Sequence, residues 1–262
     1  MSTPEFYREA RAYDIAFGDR DFDEECDFLA WCLREHGAVQ SDSTSFVELA
    51  AGPARHARVF ARRGWRSVAL DLSDDMLDYA QAGAQREGVS LELVKGDMCD
   101  FALKKPIALA ANLMESLSHL TTNEQVVAHF RAVSRNLLPG GVMVIEMAHP
   151  SDIWRDNLPN YWTVEEDNIN VDMIFGLADD HYDWITQQWT VTTQLTIREA
   201  GQPPRVIRNQ NQHRWYQPQE LRALVELSGA FSQSWWYGNM LIPPPLLTHP
   251  EDAERMIVVL KK

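Results

Sequence analysis

Residues 46–56, which read FVELAAGPARH, constrain the fold of this chain more than any other stretch. The apolar run that begins at Phe46 ends in small residues, and a helix-forming segment follows directly. This succession predicts a buried strand, a tight turn and the start of a helix. The turn places small residues at positions 50, 52 and 54, close after the acid Glu48. Small residues let the backbone pass close to a ligand, so the pattern indicates the nucleoside-binding turn of an α/β enzyme.

Alternating strand and helix signals continue as far as residue 147. Apolar segments predict the strands, and the segments between them predict helices. The five predicted strands are 46–49, 68–70, 91–94, 107–111 and 142–147. Near-continuous apolar strands that alternate with helices are typical of a parallel sheet covered on both faces. Two later strands, 234–237 and 255–260, bring the predicted α/β sheet to seven strands.

The pattern changes after residue 150, where apolar and polar residues alternate with a period of two. This alternation predicts an inserted antiparallel sheet over residues 151–212, which we expect to be either a substrate cap or a dimer interface. Residues 1–45 are expected to form an N-terminal helical arm or lid. The ligand-binding domain is then expected to comprise residues 46–150 and 213–262.

Charge and composition narrow the function classes. Thirty-eight acidic residues face 24 basic ones, for a net charge of −14, which argues against a nucleic-acid partner. No apolar run approaches the length of a bilayer span, so no membrane partner is expected. The three cysteines, at positions 26, 32 and 99, have no metal-ligand spacing, and the polar N-terminus does not resemble a signal peptide. We therefore expect a cytoplasmic protein without a metal.

Polar residues follow the predicted strands at the points where each one ends. Asp71 follows the second strand, Asp97 the third and Asn112 the fourth. Parallel sheets bind ligands beyond these carboxyl ends. Asp71 lies 23 residues after Glu48, a spacing suited to a carboxylate that receives two ribose hydroxyls. Asp97, followed by the apolar Met98, suits an adenine.

A nicotinamide dinucleotide is the alternative ligand for such a sheet. Its binding turn requires G-x-G-x-x-G, in which the third glycine allows close packing of the helix on the strand. Here Arg55 occupies that third position. The carboxylate of Glu48 would also repel a pyrophosphate, whereas it would favour an ammonium or another cation.

The segment Glu48-Leu49-Ala50-Ala51-Gly52-Pro53-Ala54 resembles the first motif of the class I S-adenosylmethionine-dependent methyltransferases, a Rossmann-like family. Segments 96–98 and 139–141 resemble later motifs, and 255–260 resembles the family's last, antiparallel strand. Alanine stands at positions 50 and 54 where glycine is usual, and its methyl group is expected to fit if φ is negative. The resemblance implies that S-adenosyl-L-methionine is held by Tyr13, Glu48, Ala50, Gly52, Asp71, Leu72, Asp97, Met98, Asn112 and Leu113.

The implied reaction is an in-line transfer of a methyl group to a nitrogen or oxygen atom of a small molecule, with S-adenosyl-L-homocysteine as product. His149 and His119 follow the fifth and fourth strands and are the candidates for a general base. Aromatic residues of the insert could bind a flat ring or an ammonium. Two alternatives stay open: a protein or peptide methyltransferase, and a non-catalytic regulatory subunit that binds the cofactor. The sequence does not specify the acceptor atom, the pathway or the oligomeric state.

Overall fold

The computed structural model of this protein describes residues 8–39, 43–148, 158–248 and 253–262. The chain forms two compact units. The larger unit comprises residues 21–152 and 216–262, and the smaller comprises 1–20 and 153–215. Within the described ranges, no helix has the length and apolarity of a membrane span, and no cluster of three or more acidic, histidine or cysteine side chains is arranged to hold a metal ion.

The larger unit is built on a seven-stranded sheet with the order β11-β12-β5-β4-β1-β2-β3. Strands β1 to β5 run parallel, and β12 pairs antiparallel with both β5 and β11. The strand bounds are Ser45–Leu49, Arg66–Asp71, Glu92–Lys95, Ile107–Asn112 and Leu137–Ala148 for β1 to β5, and Gln233–Tyr237 and Arg255–Lys261 for β11 and β12. The mostly parallel seven-stranded sheet predicted from the sequence is confirmed.

Helices cover both faces of this sheet, with one apolar core on each side. The helices are α2 Phe22–His36, α3 Arg55–Arg62, α4 Asp74–Arg86, α5 Asn123–Asn136 and α6 Pro218–Ser228. Capping residues in the local sequence determine where two of these helices begin. Ser73 accepts the Met76 N–H at the start of α4, and Thr122 and Gln125 form a capping box at the start of α5. Such caps fix where each helix begins and thus the length of the loop before it.

The smaller unit is an antiparallel sheet with the order β10-β9-β7-β6, in which β8 also pairs with β9. Its strands are Asn160–Glu166, Ile169–Phe175, Tyr182–Asp183, Gln188–Glu199 and Arg205–Arg214, for β6 to β10. Helix α1, Ala10–Ala16, buries Ile15 against the apolar face of this sheet, where Val171 and Leu195 lie. The predicted antiparallel insert is therefore present.

The N-terminal arm predicted over residues 1–45 is divided between the two units. Helix α1 packs on the antiparallel sheet, whereas α2 packs on α3 of the larger unit. The division follows from where each helix buries its apolar face. Residues 213–215 also belong to the smaller unit, although we expected them in the ligand-binding domain. The role of the insert as cap or interface stays a prediction.

Candidate cofactor and acceptor site

The turn after β1 has an unusual backbone. Ala50, Gly52 and Ala54 have φ values of 51°, 49° and 55°, all in the left-handed region. The condition of a negative φ at the two alanines is therefore not met. The Cβ of an alanine meets a carbonyl oxygen in this region, at a cost of roughly 1–2 kcal/mol per residue. Glycine avoids this strain, which is the physical reason why glycine suits these positions.

Hydrogen bonds from β2 fix this turn. The Ala51 N–H donates to the Leu70 carbonyl at 3.0 Å. The Gly52 N–H donates to Asp71 Oδ2, and the Ser73 N–H donates to Asp71 Oδ1, both at 2.8 Å. Burial raises the pKa of the Asp71 carboxyl, and the backbone donors of Ser73, Gly52 and Leu72 act in the opposite direction. The predicted ribose-binding carboxylate is thus held rigidly next to the turn.

Glu48 is buried beneath the same turn. Its Oε2 accepts the Ala57 N–H at 2.8 Å, and its Oε1 lies 2.9 Å from His56 Nδ1. Ala54, at the start of α3, offers no side-chain cap, so Glu48 caps this helix from the neighbouring strand. The predicted contact of Glu48 with the methionine ammonium stays a prediction. His56 and its second carboxylate partner Glu25, at 2.7 Å from Nε2, are residues that the sequence analysis did not identify.

The carboxyl ends of β3 and β4 continue the same edge. The Gly96 N–H donates to the Asp71 carbonyl at 3.0 Å, which joins the loop after β3 to β2. Asp97 is exposed, whereas Met98 is buried. Asn112 Nδ2 donates to Met98 Sδ at 3.4 Å, and no described group bonds to the buried Asn112 Oδ1. The structure thus brings Gly52, Asp71, Met98 and Asn112 together through successive contacts.

His129 on α5 supports the loop after β3 and was not identified from the sequence. Its Nδ1 donates to the Met98 carbonyl at 2.9 Å, and burial lowers its pKa to about 4. The imidazole is therefore neutral at pH 7, with the proton on Nδ1 because a carbonyl can only accept. We know of no sequence signal for this residue, since it lies in the middle of an amphipathic helix.

The remaining predicted cofactor residues are distributed between the two units. Leu72 stands beside Asp71 with 66 % of its surface exposed, and Leu113 is buried after β4. Tyr13 lies on α1 in the smaller unit, with its ring 4.6 Å from that of Phe17. Its predicted role at the cofactor stays a prediction.

The loop after β4 is also strained. Met114 and Glu115 have φ values of 52° and 59°. Glu146, buried in β5, accepts the Met114 N–H at 2.9 Å through Oε2 and the Glu115 N–H at 3.3 Å through its carbonyl. Glu146 was not predicted, although a lone carboxylate in the apolar segment 142–147 is a readable signal. Non-glycine residues in this backbone region concentrate at functional sites, where the surrounding structure holds them.

His119 ends the short 3₁₀ helix Ser116–His119 that follows this loop. Its side chain is exposed, yet the protein around it desolvates the imidazole and lowers its pKa to about 4. The imidazole is neutral at pH 7 and can accept a proton. His149, the other predicted base, lies outside the described residues.

Several of the aromatic residues expected to bind an acceptor serve packing instead. Trp162 Nε1 donates to the Ala16 carbonyl at 2.7 Å, and Trp189 is buried in the sheet. The Tyr216 hydroxyl, in the larger unit, donates to the Leu120 carbonyl. Trp184 is the contrasting case, because 71 % of its surface is exposed. The prediction that these rings bind an acceptor is untested.

Comparison with known proteins identifies the larger unit. The sequence profile of the family described as "Methyltransferase domain" matches residues 46–141, which span β1 to the start of β5. Residues 46–141 are thus similar to a methyltransferase domain. The curated relative dTDP-3-amino-3,4,6-trideoxy-alpha-D-glucopyranose N,N-dimethyltransferase of Streptomyces venezuelae is 28% identical over 139 residues, which cover 52% of this chain and 56% of the relative. The chain thus matches about half the length of this relative.

Solved structures extend the likeness beyond the methyltransferase domain. DesVI of Streptomyces venezuelae is 21% identical, with a TM-score of 0.76, and the match covers 96% of this chain and 97% of DesVI. CalS10 of Micromonospora echinaspora, an amino pentose methyltransferase with bound S-adenosylmethionine, is 19% identical, with a TM-score of 0.70 and coverage of 100% and 98%. The class I methyltransferase fold predicted from the sequence is confirmed.

Proposed function

We propose that this protein is an enzyme that transfers a methyl group from S-adenosyl-L-methionine to a nitrogen atom of a small molecule. The observation that carries the proposal is the connected edge formed by Gly52, Asp71, Met98 and Asn112. This edge combines the fixed carboxylate of Asp71, the strained turn of small residues that contains Gly52, and the apolar side chain of Met98. Ligands of parallel sheets bind at this edge.

The residues present fit the proposed cofactor. Asp71 has carboxylate lone pairs available for the two hydroxyls of a ribose, in addition to its two backbone donors. Leu72 exposes an apolar side chain beside it, which a flat adenine ring would cover. Asn112 Oδ1 is buried without a partner in the described part of the chain, and a buried acceptor of this kind gains from a donor on a ligand. When bound, S-adenosyl-L-methionine supplies an electrophilic methyl group on a sulfonium.

A nitrogen acceptor is favoured by the relatives. The named relative is a sugar N,N-dimethyltransferase, and CalS10 acts on an amino pentose. We therefore propose an amino sugar, or a comparably small polar amine, as the acceptor. His119 is the proposed proton acceptor, because its neutral imidazole can take a proton from the attacking amine. Orientation of the amine against the methyl group can lower the barrier by roughly 7–11 kcal/mol.

Turnover on a panel of acceptors tests this proposal. The panel contains a nucleotide-linked amino sugar, a simple primary amine, a phenol, a carboxylate and a peptide with a free N-terminus. We expect S-adenosyl-L-homocysteine to form only with the nucleotide-linked amino sugar and the simple primary amine, each giving a product heavier by one or two methyl groups in mass spectrometry. The Asp71→Ala variant is the control for a reaction at this site. Methylation of the peptide alone would favour the peptide methyltransferase, and cofactor binding without any turnover would favour the regulatory subunit.

The antiparallel insert is proposed as the element that selects the acceptor. The alternative, a dimer interface, predicts a dimer in sedimentation equilibrium that dissociates when exposed Trp184 is replaced by a charged residue. If the wild-type protein is a monomer in sedimentation equilibrium, the dimer interface is rejected and acceptor selection remains as the proposed role of the insert.

A further inference from the structure

A buried chain of charged side chains runs from α2 to β1 through His56. Glu25 on α2 places Oε2 2.7 Å from His56 Nε2, and Glu48 on β1 places Oε1 2.9 Å from His56 Nδ1. His56 is completely buried, and the ring of Phe22 packs edge-on against it at 5.0 Å. The function proposed above uses neither Glu25 nor His56. We call Glu25, His56 and Glu48 the buried triad.

With both carboxyl groups ionised, the contacts of the buried triad require a charged imidazole. A neutral imidazole has one N–H, so only one ring nitrogen can donate. Both nitrogens of His56 face carboxylate oxygens at hydrogen-bond distance, and a carboxylate can only accept. An imidazolium satisfies both contacts as charge-assisted hydrogen bonds. In agreement, Glu48 and Glu25 outweigh the desolvation of the ring and raise the pKa of His56 to about 9.

The groups around His56 set this charge. Glu48 faces it from β1 and Glu25 from α2. The Cys26 thiol of α2 donates to the His56 carbonyl at 3.7 Å, and burial raises the pKa of that thiol, so it stays uncharged. The buried triad therefore holds two carboxylates and one cation.

The triad is connected directly to the candidate cofactor site. The second oxygen of Glu48 accepts the Ala57 N–H and thereby caps α3, which has no side-chain cap of its own. The turn that leads into α3 holds Ala50 and Ala54 in left-handed backbone. A strained segment of this kind persists only when its surroundings restrain it. Glu48 is one of those restraints, and His56 and Glu25 fix the direction of its carboxylate.

We propose that Glu25 and His56 are positioning residues of the cofactor site, which hold Glu48 so that it caps α3 and keeps the turn at 50–54 in its left-handed form. The inference rests on the proposed function, because cofactor affinity is the property that it explains. Loss of the imidazole proton leaves a ring nitrogen lone pair facing a carboxylate. That contact is then repulsive, Glu48 is no longer held, and the affinity for the cofactor falls.

The Glu25→Gln variant of the full chain tests the proposal. Glutamine keeps the shape of Glu25 but removes the charge that helps to hold the proton on His56. The matched control is Glu24→Gln, which removes the same charge from an exposed residue in the same helical turn. The dissociation constant of S-adenosyl-L-homocysteine is measured by calorimetry from pH 6 to pH 9 for all three proteins. The ratio of variant to wild type cancels the titration of the ligand itself.

We expect the ratio for Glu25→Gln to be near one at pH 6, where the imidazole is protonated in both proteins. If its pKa falls by one unit, the ratio rises to about fivefold at pH 9. The ratio for Glu24→Gln is expected to stay near one throughout. A ratio for Glu25→Gln that does not change with pH would overturn the proposal, since a purely structural defect weakens binding equally at every pH.

A second measurement separates this inference from the proposed function. The pKa of His56 is followed by NMR on protein with ¹⁵N-labelled histidine, without any ligand. We expect the pKa to fall by about one unit in Glu25→Gln, because only one of the two carboxylates that face His56 remains. An unchanged pKa rejects the triad. If the wild type binds no S-adenosyl-L-homocysteine at any pH, the proposed function fails, and the positioning role fails with it, whatever the NMR result.

Discussion

The strained turn at 50–54 leads to a prediction in which neighbouring alanines respond with opposite signs. Ala50 has a φ of 51° and is only partly buried, so Ala50→Gly relieves left-handed strain at little loss of packing. The relief is roughly 1–2 kcal/mol. Glycine also gains freedom in the unfolded chain, which costs about 0.4–1 kcal/mol. We therefore expect Ala50→Gly to stabilise the protein by about 0.5–1 kcal/mol, or to raise Tm by about 2 °C.

Ala51 and Ala54 supply the comparison. Ala51 is buried and its φ is not positive, so Ala51→Gly loses a packed methyl group worth about 0.8 kcal/mol and gains nothing from strain. We expect it to destabilise the protein by about 1–2 kcal/mol. Ala54 is strained but fully buried, so the two effects nearly cancel in Ala54→Gly. Urea unfolding at pH 7 measures all three variants. The reasoning is refuted if Ala50→Gly is destabilising, or if Ala50→Gly and Ala51→Gly change stability in the same direction.

The remaining predictions concern binding and pH. Asp71→Ala should weaken binding of S-adenosyl-L-homocysteine by about 1–3 kcal/mol through the loss of its acceptors, and an unchanged dissociation constant in calorimetry would move the site elsewhere. The pKa of buried His129 lies near 4, below its ordinary value of 6.5, so its contribution to stability is present above pH 6.5 and is lost as the pH falls toward 4. Wild type should lose up to about 3 kcal/mol of its free energy of unfolding in this window. The free energy of unfolding of His129→Gln, measured with urea at pH 7 and pH 4.5, should fall by less than that of wild type. The pKa of His56 is shifted in the opposite direction, upward to about 9, so its contribution to stability is present below pH 6.5 and is lost as the pH rises toward 9. A free energy of unfolding that does not change between pH 6.5 and pH 9 would contradict the charged triad.

The sheet could be predicted from the sequence because its strands are short apolar runs with clear ends. The segments 46–49, 68–70 and 107–111 all lie within observed strands of the sheet. The residues at their carboxyl ends could be predicted for the same reason, since parallel strands bring these ends to one edge. The contact between Asn112 and Met98 follows from that placement.

The supporting residues could not be predicted, because their roles depend on packing between distant elements. Glu25 reaches His56 across 31 positions of the chain, and His129 reaches Met98 across the same separation. Periodicity locates each of these residues on a helix but does not identify the strand or loop that it faces. The positive φ of Ala50 could not be predicted from the sequence either, because alanine favours a negative φ and tertiary restraints overrule that preference here.

Calorimetry on the wild-type chain tests the central claim most directly. S-Adenosyl-L-homocysteine and a nicotinamide dinucleotide are titrated separately into the protein at pH 7. The edge formed by Gly52, Asp71, Met98 and Asn112 predicts that S-adenosyl-L-homocysteine binds at one site per chain. It also predicts that the dinucleotide does not bind, because Glu48 and Arg55 are unsuited to a pyrophosphate in this turn. Binding of the dinucleotide, or no binding of S-adenosyl-L-homocysteine, would contradict the account.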